Sequence, residues 1–164
     1  MENDITSRIV SPADAVQDQG AKILVYGMAG AGKTYLARTA PGKVLVISAE
    51  AGLLSIRDAQ NVEAIEVKSA AEVVEVYEAL RSGKLQYDTV CLDSISEISE
   101  LLLQAEKAKH KDARKAYGEV QESVTNVMRA FRDLQMHVMF ICKEDKVNND
   151  GVFEQAPKMV GTKL

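Results

Sequence analysis

Tryptophan is missing from this 164-residue chain, aromatic residues make up only 5% of it, and it holds two cysteines and two histidines. So few rings leave little on which nucleic-acid bases could stack. Cys91 and Cys142 have no CxxC spacing and no histidine-rich neighbourhood, and each lies inside an apolar run. They read as small buried residues, which argues against a disulfide framework or a zinc site. His110 falls in a basic run and His137 opens an apolar one; neither has a second ligand type near it in sequence, so neither is assigned to a metal. Long apolar stretches are also missing: nothing approaches the roughly 20 residues of a membrane-spanning helix, and the start "MENDITSRIV" has no signal-type apolar core. A soluble, cytoplasmic protein with no membrane partner is expected. Nor is there an excess of positive charge. Lys+Arg 20 against Asp+Glu 24 gives a net charge of −4, so any polyanion must be met by a local patch.

What is present is a regular alternation. With 46% apolar residues, the chain can bury one substantial core, and one domain is expected over 21–164, preceded by an arm or leader over 1–20. Five short runs, "KILVY", "KVLVIS", "VEAIEV", "DTVCLD" and "HVMFIC", are rich in β-branched residues and read as strands buried on both faces. Between them lie helical segments. "KTYLART" is one; "SAAEVVEVYEALRSG" is another, with a capping box at Ser69 and Glu72 and a stop at Gly83. A third runs from Tyr117 to Leu134, where Tyr117, Val120, Val124, Val127, Met128, Phe131 and Leu134 recur at steps of three and four and form one core-facing stripe. Ser11, Pro12 and Gly20 give a weaker helix signal in the leader, and "NDG" near the end reads as a hairpin turn. Strand, helix, strand in repetition predicts an α/β fold with a mostly parallel sheet.

The segment "GMAGAGKT", residues 27–34, follows the first strand and opens a helix. This is the setting in which GxxxxGK[ST] cradles phosphates. Gly27, Gly30 and Gly32 let backbone N–H groups turn inward at the positive end of a helix. Met28, Ala29 and Ala31 contribute main chain to the same nest, and Tyr35 follows it. Lys33 supplies charge to the outer phosphates, and Thr34 a hydroxyl for Mg²⁺. The second half of such a site is a carboxylate ending another strand. Asp93 stands there as the magnesium partner acting through water, although an N-cap role for it is physically sound as well. No glutamate follows Asp93 directly. Glu50, ending "KVLVISAE" on the carboxyl edge where ligands bind in open α/β sheets, is the candidate for activating water, with Glu97 as the fallback.

These segments in this order resemble the RecA-type ATPase core: the glycine loop, "VISAEAGL", "VCLDSIS" and "VMFICKED". "YGMAGAGKT", "AEAGL", "DARKAYGEVQESV", "FRDLQMHVMFICKED" and "PKMVGTKL" are further similar to small bacteriophage nucleotide-binding proteins of the Sak-type recombinase group. The resemblance implies a three-layer P-loop NTPase with a RecA-like core and a C-terminal β-hairpin. It implies ATP and Mg²⁺ as cofactors, Glu50 as the water-activating glutamate, Asp93 as the Walker B carboxylate, and Lys143 or Glu144 at the γ-phosphate sensor position. That position usually holds Gln or Asn, so Lys143 is a departure. It places the sensor strand between the P-loop strand and the Asp93 strand. The family's sheet normally continues past the hairpin, so either its last strands are absent from 21–164 or the sequence is truncated after Leu164.

The same resemblance implies single-stranded DNA as a partner, a homo-oligomer with sites between subunits, a phage or host single-strand binding protein as a further partner, and a bacterial host cytoplasm as the location. The run "EKAKHKDARK" gathers Lys107, Lys109, Lys111, Arg114 and Lys115 against Glu106 and Asp112. Such a patch can contact DNA phosphates in a salt-dependent, sequence-tolerant way, or it can be a solvated helical face. The leading expectation is a Mg²⁺-dependent ATPase acting on single-stranded DNA in phage recombination. One rival is a nucleotide-gated binding protein with negligible turnover. Another is a small-molecule kinase, which would need an arginine-rich lid that "KEDKVNNDGVFEQ" does not supply. A GTPase is disfavoured by the lack of an NKxD sequence.

Overall fold

The computed structural model describes residues 5–16, 19–50, 52–110 and 113–160. The leader forms a 3-10 turn, Ile5–Arg8, and a short helix α1, Pro12–Val16. Ser11 Oγ accepts from the Asp14 amide at 3.1 Å, as an N-cap before proline should. Six strands follow: β1 Lys22–Gly27, β2 Val44–Ser48, β3 Val62–Glu66, β4 Thr89–Asp93, β5 His137–Asn149 and β6 Val152–Lys158. They form one sheet in the order β1-β5-β4-β2-β3, with every pairing along this path parallel and β6 antiparallel on β5. β5 therefore lies between β1 and β4, the place the resemblance implied for a sensor strand.

Burial follows position in the sheet. β2 and β4 are buried along their whole length. β1 and β3, expected to be covered on both faces, are instead edge strands among the described residues, and Ile23, Leu24 and Tyr26 of β1 are 47%, 43% and 43% exposed. A strand with one neighbour and a thin layer above it keeps apolar side chains in contact with water.

Side-chain alternation splits the core in two. Leu45, Ile47, Val90, Leu92, Val138, Phe140 and Cys142 face one way, towards three helices: α2 Ala70–Arg81, α3 Ile95–Lys109 and α4 Ala113–Arg132. Val44, Val46, Cys91, Met139 and Ile141 face the other way, with Ala37 and Ile56. That second layer is built from two 3-10 segments, Thr34–Thr39 and Leu53–Ile56. The α-helix expected from "KTYLART" is thus a six-residue 3-10 segment. Pro41 lies just beyond it and disfavours helical backbone at Ala40, which is extended.

Helix α2 begins as its sequence predicts, with Ser69 Oγ accepting from the Glu72 amide at 3.3 Å. The reciprocal bond goes to the Lys68 amide, one residue earlier than in a standard capping box. On α4, Val120, Val124 and Phe131 are buried, and the Phe131 ring meets that of Tyr77 at 5.4 Å. Tyr117, expected in the same stripe, is 45% exposed with Lys107 Nζ 5.4 Å from its ring centre. Length explains this departure. A 20-residue helix spans about 30 Å, against about 17 Å for a five-residue strand. Because α4 ends where β5 begins, its first turns overhang the carboxyl edge of the sheet.

The hairpin turns at Asp150 (φ 50°) and Gly151 (φ 88°). Left-handed backbone at both positions is what a two-residue turn of this hand requires, and Asp-Gly supplies it. β5 extends seven residues beyond the expected "HVMFIC" because pairing with β6 continues from Lys143↔Lys158 to Asn149↔Val152. Both cysteines are buried and unpaired. No described helix is long and apolar enough to cross a membrane.

Candidate active site

The loop over 27–34 leaves β1 at Gly27, whose register partner on β5 is Lys143. Gly30 and Gly32 have φ of +78° and +85°, and a Cβ at either would meet nothing within 4 Å. The loop thus needs glycine there for backbone conformation, not for space. Met28 is 66% exposed, and Ala29 and Ala31 are exposed with it. Lys33 folds back over the loop, its Nζ donating to the carbonyls of Gly27 and Met28, both at 2.8 Å. Tyr35 is half exposed, with the Arg38 guanidinium 4.8 Å from its ring centre.

Thr34 and Asp93 meet directly, Thr34 Oγ1 donating to Asp93 Oδ2 at 2.6 Å. Asp93 ends β4 and is 2% exposed. Burial holds its carboxyl above the ordinary range. The Thr34 hydrogen bond and the charges of Lys33 and Lys143 oppose that rise, while Glu50 adds to it. Asp93 does not cap the helix that follows: Ser94 does, its Oγ accepting from the Glu97 amide at 3.3 Å.

Gly52 completes this corner, and sequence reasoning assigned it no role. A Cβ there would lie 3.3 Å from Thr34 Oγ1 and 3.5 Å from Asp93 Oδ2. The pair of oxygens, one hydroxyl and one carboxylate, is a donor set suited to a hard cation such as Mg²⁺. Glycine at 52 keeps the approach to both open. The glycine of "AEAGL" was the available signal, yet sequence gives no sign that it approaches Asp93.

Beyond β2, the Glu50 carbonyl accepts from Ser48 Oγ at 2.6 Å and from the Gly52 amide at 2.8 Å, while the Ala49 amide donates to the Asp93 carbonyl at 2.8 Å. These bonds tie the ends of β2 and β4 together and fix where Glu50 starts. Its carboxylate lies 3.1 Å from Lys143 Nζ, and the same ammonium contacts Glu97. The Glu97 bond is the main reason that the Lys143 ammonium is held above its ordinary pKa, with Glu50 adding to it. The main chain of Lys143 is anchored as well: its amide donates to Ser96 Oγ, which donates to the Lys158 carbonyl. Glu144, the other residue considered for the sensor position, instead accepts from Gln155 across the hairpin at 3.4 Å. Lys143 thus joins both candidate bases, Glu50 and Glu97.

The described part of the basic run lies on the last turn of α3 and the first turn of α4. Lys109 pairs with Glu106 at 2.9 Å, Lys115 approaches Glu119 at 3.7 Å, and Lys107 covers Tyr117. Arg114 lies in the first turn of α4, and Lys111 lies outside the described residues. Lys107, Lys109 and Lys115 thus already have local partners. His110, expected to lack a second ligand type, lies 2.5 Å from Glu119 and 3.8 Å from Glu106.

No curated protein matches the sequence. The glycine loop, the Thr34–Asp93 pair and the Glu50–Lys143–Glu97 cluster sit together at the carboxyl edge of a parallel sheet, and a family model described as an AAA domain matches residues 19–162. The chain belongs to that family, one of nucleotide-binding P-loop ATPases.

Proposed function

We propose that this protein hydrolyses ATP with Mg²⁺ and works on single-stranded DNA as a homo-oligomer, in the manner of RecA-type proteins of phage recombination. One observation carries the hydrolytic part: Lys33, Thr34, Asp93, Glu50 and Lys143, drawn from separate segments, converge on one edge of the sheet. Residues 27–35 wrap the phosphates with main-chain amides, and Lys33 exchanges its carbonyl partners for phosphate oxygens. Thr34, and Asp93 through water, would hold Mg²⁺, which would supply positive charge to neutralise the outer phosphates. Glu50 accepts a proton from the attacking water, and Lys143 turns from Glu50 towards the terminal phosphate, freeing the carboxylate as it goes.

DNA as partner is supported by Lys109 and Lys115, whose side chains are 63% and 62% exposed. The Lys115–Glu119 pair is exposed on both sides, and ion pairs of this kind contribute only about 0–1 kcal/mol, so a phosphate can displace that carboxylate. Lys107, Lys111 and Arg114 extend the same patch. A host or phage single-strand binding protein is the further partner on this reading, and the host cytoplasm its place.

A second reading has its own support. Lys143 neutralises both Glu50 and Glu97, as expected of a nucleotide-gated binding protein with negligible turnover. Phosphate release with and without single-stranded DNA, with Lys33→Ala as control, separates the two. Release that DNA stimulates and Lys33→Ala abolishes supports the enzyme; none under either condition overturns it.

A further inference from the structure

The tip of the α3–α4 helical hairpin carries a group of side chains that nucleotide chemistry does not use. Glu106 and His110 stand one turn apart at the end of α3, and Glu119 faces them from α4. One ligand atom from each lies within 4.8 Å of the others. We infer that Glu106, His110 and Glu119 form a binding site for a divalent transition metal of the Zn²⁺ class.

The donor set fits that class. One imidazole nitrogen with two carboxylates is a combination that Zn²⁺ accepts at about 2.0–2.2 Å per bond, leaving a further position for water. Mg²⁺ is a poorer match, since it prefers an all-oxygen octahedron. Both carboxylates address the same ring nitrogen, His110 Nε2, at 3.8 Å and 2.5 Å. One cation can therefore replace that proton-mediated contact and draw the three together. Glu106 is the fixed member: it is 7% exposed, and the Lys109 ammonium holds one of its oxygens at 2.9 Å. Glu119 is the adjustable member, with a side chain 40% exposed.

Two lysines oppose the cation, Lys109 on Glu106 and Lys115 on Glu119. Both have exposed side chains that can swing into water; Lys115–Glu119 is a surface pair contributing only about 0–1 kcal/mol, and at the buried Glu106 the incoming cation would take over the charge that Lys109 supplies. Competing soft ligands are few. Both cysteines are buried, and His137, the other histidine, has Nδ1 engaged by the Ala21 amide at 3.0 Å.

The test uses the full chain and zinc alone, with uptake measured by competition against a chromogenic chelator. Wild type should take up one equivalent, and both His110→Ala and Glu119→Gln should weaken uptake by about 100-fold or more. Co²⁺ in the same site should give visible bands that vanish in His110→Ala, and Thr34→Val should leave them unchanged. No uptake by wild type, or full uptake by His110→Ala, overturns the inference. Loss of the bands in Thr34→Val alone would place the cation at the nucleotide site, and that also overturns it. None of these outcomes bears on ATP hydrolysis.

Discussion

Replacing Thr34 with valine keeps the side chain's shape and removes the hydroxyl that donates to Asp93 Oδ2 across 2.6 Å. With Asp93 only 2% exposed, water is poorly placed to replace that donor, and a hydrogen bond to a charged group contributes about 1.5–3 kcal/mol. At about 2–4 °C per kcal/mol for a domain of this size, Thr34→Val should lower the unfolding midpoint by about 3–12 °C. The pH dependence has a definite sign. Burial already holds the Asp93 carboxyl above its ordinary value of 3.8, and the Thr34 bond is the largest influence against that rise, so its removal lifts the carboxyl further. A carboxyl that binds its proton more tightly in the folded state loses stability as pH rises through the interval between its unfolded and folded values. The deficit of Thr34→Val should therefore be full at neutral pH and shrink as the buffer is acidified into that interval. Thermal unfolding of wild type, Thr34→Val, Asp93→Ala and the double variant, without magnesium, forms a double-mutant cycle. A coupling of about 1.5 kcal/mol or more is expected near neutrality, and one below about 0.5 kcal/mol would refute the idea that Thr34 holds an ionised, buried Asp93.

Glu50→Gln should keep ATP binding and lose hydrolysis by about 10²-fold; undiminished turnover would move the proton-accepting role to Glu97. Gly52→Ala sets a methyl 3.3 Å from Thr34 Oγ1 and 3.5 Å from Asp93 Oδ2. It should raise the Mg²⁺ needed for half-maximal ATPase by about 10-fold, and an unchanged magnesium titration would show that the cation sits elsewhere. Removing the charges of Lys109 and Lys115 together should reduce the slope of log affinity for single-stranded DNA against log salt by about 1.4. The same slope in the variant would exclude this patch as the DNA contact.

The strands were legible because each apolar run is short and β-branched, and their parallel pairing because helical segments alternate with them; the position of β5 came only from the resemblance to the RecA-type core. Local pattern does not report how many neighbours a strand has, however. "KILVY" and "KVLVIS" look alike in sequence, yet the first is a half-exposed edge and the strand in the second, Val44–Ser48, is buried throughout. Tyr117 shows a related limit: it keeps helical phase with Val120 and Val124, but phase does not tell where a helix outruns the sheet. At the site, Lys33, Thr34 and Asp93 were readable because GxxxxGK[ST] and a strand-ending aspartate have fixed chemistry. Gly52, the double pairing of Lys143, and the meeting of His110 with Glu119 arise from contacts between distant segments, and no spacing rule encodes them.

The open side of β1 has a consequence for how firmly the phosphate loop is held. Among the described residues β1 pairs with β5 alone, so every second amide along Lys22–Gly27 faces away from any strand partner. Those outward amides should trade their protons for deuterium quickly, while their neighbours, bonded to β5, are shielded, giving an odd-even ripple along the strand. The loop is thus hinged to a ribbon that can fray on one side. An ATP-bound sample should quiet that ripple if ligand capture stiffens the strand beneath it.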